Sequence, residues 1–291
     1  MLCGAGVMMA SPASAEDGEI YVGAFGGMSW SERRTVRQTG TAHRRDDWHL
    51  DGYRDFDLPV AVEGKSQPER GSVFGAHIGY IFGNRTARVR PGIELEYGHY
   101  STAERALLSN PATEHAINIG QGTASASADP SDYVDEHYAA GKHRFSNQAR
   151  LAFDTVMVNG VMQFDTRSRW TPYLGAGAGI AFAGAKKATS YQTNPGGPLE
   201  RTSDTGEVVN HFNSRDHDST TAIAIQAKAG VKSRLTSHLS AFVEYRLLYV
   251  GATSFDLGST QYSGHPPTDD WKMRAAPATL HNAVLGLAWH F

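Results

Sequence analysis

The last twelve residues of the chain, Leu280 to Phe291, alternate with a period of two. His281, Ala283, Leu285, Leu287, Trp289 and Phe291 fall on one face, and Asn282, Gly286, Ala288 and His290 on the other. This is the pattern of a strand that ends on an aromatic residue, and a face made of Leu, Leu, Trp and Phe needs a cover. Hydrocarbon is the cover the pattern predicts. A backbone crosses hydrocarbon only as a helix or as strands closed into a barrel, because each of its polar groups must be paired. A helix is excluded here. The sequence contains no run of about 18 apolar residues, and its mean hydropathy is −0.40.

Seven more alternating segments precede the last one, over residues 20–30, 72–82, 88–100, 155–164, 171–183, 220–233 and 239–249. In each, one face is free of Asp, Glu, Lys and Arg. Examples are Phe74, Ala76, Ile78, Tyr80 and Phe82 in the second, and Leu239, Ala241, Val243, Tyr245, Leu247 and Tyr249 in the seventh. A basic charge at mid-bilayer costs about 2–4 kcal/mol, so a charge-free face is the one expected to meet lipid. The opposite faces collect glycines and ionisable residues. The connections alternate as well. Ser31 to Gly71, Ser101 to Gln148, Gly184 to Ser219 and the stretch after Tyr249 are long, whereas Gly83 to Ala87, Thr166 to Arg169 and the region near Thr236 are short. The pattern predicts an all-β fold: an eight-stranded antiparallel up-and-down transmembrane β-barrel in the outer membrane of a Gram-negative bacterium, with short periplasmic turns and four long extracellular loops. Leu58 to Val62 and Phe145 to Phe153 are expected to extend strands above the membrane. A soluble barrel is disfavoured, because it would turn Glu94, Glu96, Lys228, Lys232, Glu244 and Arg246 outward together with the glycines.

An eight-stranded barrel is only wide enough for its own side chains. The inward set Arg90, Glu94, Glu96, Lys228, Lys232, Glu244 and Arg246 is therefore read as a network of ion pairs that fills the lumen, joined by His77 and Asn159. No catalytic, cofactor or metal site is expected. Glu94 and Glu96 are two apart on one face and serve more simply as partners for Lys and Arg than as an acid/base pair. Asp135-Glu136-His137, His211 with Asp216-His217-Asp218, and His43 to His49 with Asp46-Asp47 lack tight metal-ligand spacing and read as solvated loop polarity. A lipid-cleaving barrel would need Ser, His and an acid at the rim, and the strand faces drawn above offer no short His-x-Ser pair to lipid.

Met1 to Ala15 is apolar and ends Ala13-Ser14-Ala15, the small-x-small form of a signal-peptidase site. Residues 1–15 are expected to be a signal peptide and 16–291 the barrel domain. The absence of Lys or Arg at its start suggests that the natural start codon lies upstream. Cys3, the one cysteine, falls in this segment, so the mature chain would have no thiol chemistry. A net charge of −3 gives no reason to expect nucleic acid as a partner. The connection Ser31 to Gly71 carries eight basic and eight acidic residues, and Trp48, Tyr53, Phe56, Tyr133 and Phe212 are scattered through the long loops as candidate anchors for a partner.

Tyr21 to Gly27, Thr171 to Gly179, Glu244-Tyr245-Arg246 and Leu285-Gly286-Leu287 running to Phe291 resemble the eight-stranded outer-membrane β-barrel domain of the OmpA-like and opacity-porin type. The likeness covers the strands and not the loops, which are unusually long. It implies that Phe291 serves as the signal read by the barrel-assembly machinery, and that the barrel sits among outer-membrane lipid and lipopolysaccharide. The function expected is non-enzymatic: envelope structure, or adhesion and binding of host or environmental ligands through the loops. A narrow passive pore for ions or small solutes is the alternative, and a lipid-modifying enzyme a more distant one.

Overall fold

The structure is a computed structural model of the 291-residue chain and describes residues 18–44, 56–84, 87–110, 144–194, 214–259 and 269–291. The expected signal peptide lies outside these residues. All regular structure among them is β. Eight antiparallel ladders close a ring in the order β1 (Glu19–Ser31), β4 (Arg70–Ile81), β5 (Val89–Ser109), β6 (Arg144–Phe164), β7 (Trp170–Asn194), β8 (Asp218–Arg234), β9 (Leu239–Val250), β12 (Ala278–His290) and back to β1. The last pairing sets Tyr21 opposite His290 and continues to Ser31 opposite Leu280, so the terminal strand closes the cylinder against the first. With no edge left, every backbone group in the ring has a neighbour.

The faces divide as their chemistry requires. Val22, Met28, Phe74, Ile78, Leu95, Val158, Leu174, Ile225, Val243, Leu285 and Leu287 stand exposed on the outer wall, whereas Glu94, Glu96, Lys228, Glu244 and Arg246 are buried inside it. An apolar surface of this extent, wrapped round a barrel whose interior is charged, is stable only in lipid. From Phe164 to Asp154, β6 covers roughly 33 Å of strand and, at a tilt of about 40°, roughly 25 Å of height. That matches an apolar belt of the expected size. Tyr80 and Phe82 pack edge to face at the lower margin, Trp289 stacks on His238 there, and Trp30, Phe74 and Phe182 mark the upper margin. The architecture is that of an eight-stranded outer-membrane barrel.

Above the belt the structure departs from the expected picture of loops. β5, β6 and β7 run far beyond it, so that Ser101 to Ser109, read from sequence as connection, is strand. The first long connection forms the hairpin β2 (Thr35–Arg44) and β3 (Phe56–Ser66), and the fourth contributes β10 (Thr253–Asp256) and β11 (Lys272–Ala275). Leu58 to Val62 lies in β3 and Phe145 to Phe153 in β6, as expected. These pieces pair in the order β10, β11, β2, β3, β5, β6, β7. Backbone bonds from Ala188 to Asp216 (2.9 Å) and from Arg215 to Leu257 (2.9 Å) bring the two ends of that series together. The barrel thus has a second storey. It begins where β1, β4, β9 and β12 are interrupted, at 32–34, 67–69, 251–252 and 276–277, and it is the continuation of the same cylinder.

The core continues up into this storey. Val36, Val62, Leu108, Phe145, Phe255, Leu257, Trp271 and Met273 are buried in it, while Arg37, Glu63, Lys65, Lys272 and Arg274 face out. Gly40 lets the Trp271 ring lie flat on β2: a Cβ there would meet the indole at 2.6 Å. Among the described residues the outer wall of β2, β10 and β11 carries no large exposed hydrophobic residue, while Leu107 stands exposed on the β5 wall of the storey.

Leu285→Arg, in the middle of the belt, is expected to lower the unfolding free energy of the barrel in lipid vesicles by about 2–4 kcal/mol, read by denaturant titration of tryptophan fluorescence. An unchanged midpoint would show that this wall does not face lipid.

Candidate functional site

The lumen is where the chemistry-bearing residues converge, and the alternation of each strand aims them there. β5 sends in Arg90, Glu94 and Glu96, β8 Gln226, Lys228 and Lys232, and β9 Glu244 and Arg246. In a ring of eight, β5 stands opposite β9, so acids from one wall meet bases from the other across the full width. Lys228 Nζ donates to Glu94 and, at 3.0 Å, to Glu96 Oε2. Arg246 donates through Nη1 to Glu96 Oε1 at 2.7 Å and through Nε to Glu244. The phenols of Tyr21 and Tyr173 donate to Glu94 Oε2 (2.8 Å) and Glu244 Oε2 (2.9 Å). Gln226 Nε2 donates to Glu96 Oε1 (3.0 Å) and Asn159 Oδ1 (2.8 Å), and Asn159 Nδ2 to Glu94 Oε1 (3.2 Å). The Arg246 guanidinium also lies 3.7 Å above the centre of the Phe25 ring.

A second cluster lies nearer the periplasmic end. Arg90 donates to Glu19 Oε2 (3.0 Å) and to Gln163 Oε1 (3.3 Å), and His290 Nδ1 lies 2.6 Å from Glu19 Oε1. Lys232 does not join an acid directly: its ammonium sits 5.4 Å above the Tyr21 ring. The seven residues singled out from sequence therefore all enter the lumen, six in ion pairs and Lys232 over an aromatic face. His77 is buried at 3.9 Å from Glu94.

Three acids and four bases do not balance, and the residue that sequence reading left out is the missing acid, Glu19. It begins β1 one residue before the alternation was drawn, and its odd number shares the inward parity of Tyr21. With it, Glu19, Glu94, Glu96 and Glu244 face Arg90, Lys228, Lys232 and Arg246, four charges of each sign. His77, Glu94 and Glu96 are close enough to share a cation. Both carboxylates already receive Lys228, and Glu96 also Arg246, so the lumen is neutral without a metal. Of the other metal candidates, Asp135 to His137 and His211 lie outside the described residues, as do Trp48, Tyr53, Tyr133, Phe212 and the side chains of His43 and Phe56. At the exposed Asp216, the hydrogen bond from His217 (3.0 Å) holds the carboxyl below its usual range.

Above the ion pairs the lumen changes character. Val73, Tyr100, Phe153, Leu248, Val250 and Leu280 are buried across it and form an apolar layer. Higher still, at the level of the strand interruptions, Arg34 Nε donates to Glu104 at 2.5 Å, and Arg34 Nη1 to the carbonyl of Ala276 at 3.3 Å. Asn147, Ser190 and Gln38 form a further buried polar cluster. The channel axis is thus crossed by charged, apolar, charged and polar layers in succession.

The outer wall carries a feature that sequence reading missed. His99 and Ser101 both point outward on β5, a His-x-Ser pair in the place where none was expected. The reason is that the strand was ended at Tyr100. His99 Nδ1 lies 2.7 Å from Asp154 Oδ1, which also accepts the Tyr97 hydroxyl at 2.7 Å, and the His99 ring packs on Phe74. A similar group stands elsewhere on the rim: His281 between Tyr245 (2.6 Å) and Glu32 (2.9 Å), stacked on Trp30.

No protein-family model matches the chain, and no curated protein matches it. Solved structures do. Neisserial surface protein A is 14% identical, with 90% of this chain and 95% of that one covered and a TM-score of 0.32. The outer membrane protein OprG of Pseudomonas aeruginosa is 12% identical, with 94% and 96% covered and a TM-score of 0.38. The outer membrane protease OmpT of Escherichia coli is 8% identical, with 98% and 99% covered and a TM-score of 0.38.

Lys228→Ala leaves Glu94 and Glu96 facing each other without their shared cation. Breaking a buried pair in this way costs about 3–5 kcal/mol, so the urea midpoint of the refolded barrel is expected to fall and its heat-induced gel shift to occur at lower temperature. An unaltered midpoint would mean that the pairs add nothing to stability.

Proposed function

We propose that this chain is a closed, non-enzymatic barrel of the Gram-negative outer membrane that anchors the envelope surface and carries a raised, water-exposed platform for contact with ligands outside the cell. The observation that carries this reading is the double obstruction of the lumen, by ion pairs spanning its width and by the apolar layer above them. A path for ions would have to break Arg246–Glu96 and then cross Tyr100, Phe153 and Leu280 without a polar partner. The second storey supports the surface role, because it stands above the belt and exposes Arg37, Glu63, Lys65, Lys272 and Arg274 on its outer wall. Phe291 is proposed as the terminal signal for the barrel-assembly machinery; it lies exposed just past β12. Purified barrel in a planar bilayer is expected to give no steady unitary conductance. Steady openings that change in size when Glu96 is replaced by Gln would favour the narrow pore instead.

The outward His99–Asp154 pair with Ser101 two residues along favours a second reading, hydrolysis of lipid esters at the outer rim. In that case the folded protein in phospholipid vesicles would release fatty acid, and Ser101→Ala would stop the release while leaving heat-modifiable mobility intact. No release above protein-free vesicles is the outcome expected from the non-enzymatic reading.

A further inference from the structure

Where the lipid belt ends on the β6–β7 wall, two cations face each other. Arg150 and Lys186 are direct partners across the ladder, both exposed on the outer wall. Like charges set opposite on one face repel, and a sheet normally avoids the arrangement. Here neither is within ion-pair distance of a carboxylate among the described residues, whereas Arg105 nearby is matched with Glu69 at 3.6 Å. The backbone adds a third charge. The β6–β7 register shifts between Gln148 and Arg150, and Lys187 takes a left-handed conformation at φ 52°, rare for a residue with a side chain. The bulge turns Ala185 and Ala188 both into the core, so Lys186 and Lys187 stand side by side in solvent.

Height identifies the occupant. Asp154 and Phe182 form the top row of the belt on this wall, and Arg150 and Lys186 lie four residues higher, with only Ala152 and Gly184 between. Four residues of a strand tilted about 40° rise roughly 10 Å, and a headgroup region about 5–7 Å deep on this side of the membrane is then within reach of the long Arg and Lys side chains bending down toward it. Directly beneath is hydrocarbon-facing surface, Phe182, Ile180 and Val156. Two carboxylates face these cations, Asp154 four residues below Lys186 and Asp216 near Lys187; neither is within ion-pair distance of them, and Asp154 Oδ1 already accepts from Tyr97 and His99.

We propose that Arg150, Lys186 and Lys187 bind the phosphate group of an outer-leaflet lipid whose acyl chains lie along the β6–β7 belt. The proposal rests on the barrel's standing in the membrane with its second storey outside, and adds a defined anionic-lipid site to that reading. Arginine spans two phosphate oxygens while the paired lysines supply point charges, and the acyl chains provide the contact that a free phosphate lacks.

The test uses the full barrel refolded into phosphatidylcholine vesicles, its folded state checked beforehand by heat-modifiable mobility, with trace spin-labelled phosphatidic acid or spin-labelled phosphatidylcholine. Electron spin resonance reports the share of each lipid immobilised at the wall. Wild type is expected to prefer phosphatidic acid on the order of fivefold or more, and Arg150→Ala/Lys186→Ala to bring the two lipids close to parity. Arg37→Ala/Arg274→Ala removes a second like-charged ladder pair that stands higher on the storey, and is expected to leave the preference unchanged. Equal immobilisation of both lipids by folded wild type would overturn the site, as would a preference lost equally in the two double variants, which would reduce it to overall charge. Abolition of the preference by millimolar inorganic phosphate at constant ionic strength would overturn the lipid assignment in favour of a free anion. A wild type that fails the mobility check would instead count against the barrel reading itself.

Discussion

In hydrocarbon a peptide N–H has only another peptide to bond, and this single requirement dictates most of what the chain does. It forces β1 onto β12 and so closes eight strands into a ring. Eight strands fix a narrow bore, and a narrow bore brings residues from opposite walls within reach of each other. Glu96 and Arg246 meet because their strands stand across the ring, although 150 positions separate them in sequence. Charges that would each be costly alone become tolerable as a neutral, hydrogen-bonded group, with tyrosine hydroxyls and amides taking up the remaining carboxylate oxygens. The glycines follow from the same geometry. Gly230 lies beneath the Tyr173 ring, where a Cβ would come within 2.6 Å, so the smallness of one strand makes room for the aromatic of its neighbour.

The belt and its faces were legible in the sequence because lipid on one side and a crowded lumen on the other impose strict alternation. Leu285 and Val243 outward, Glu244 and Lys228 inward, follow from counting by two. Where the chain leaves the membrane the contrast weakens. β2 sends Val36, Gln38 and Gly40 inward, a mixture with no apolar signature, because Gln38 bonds to Asn147 and Ser190 and Gly40 makes way for Trp271. β10 and β11 are four residues each, too short for a period to register. Pro68 and Pro277 stand at two of the strand interruptions and read as loop, which hides the continuity of the cylinder through them.

The same boundary errors account for what was missed at the sites. Glu19 was lost by starting a strand one residue late, and Ser101 by ending one too early. Glu19 is a true strand end, whereas Ser101 lies inside β5, at the level where the strand leaves the belt and the alternation loses its lipid-facing apolar signature. Charge arithmetic offered a signal for the first: an interior with four bases and three acids asks for one more carboxylate, and Glu19 was the inward-parity acid next to the drawn strand. For the outward His99 group no comparable arithmetic exists, since its partner Asp154 is brought alongside by the β5–β6 register.

The stacking of unlike layers along the bore separates two sets of contacts that a single plug would tie together. Arg246–Glu96 and the side chains of Tyr100, Phe153 and Leu280 are buried in the lumen of the membrane-spanning part, whereas Val36, Trp271 and Met273 are buried in the second storey. Side chains such as Arg37, Glu63 and Lys272 on the storey's outer face can therefore be exchanged without touching those that fill the bore beneath them.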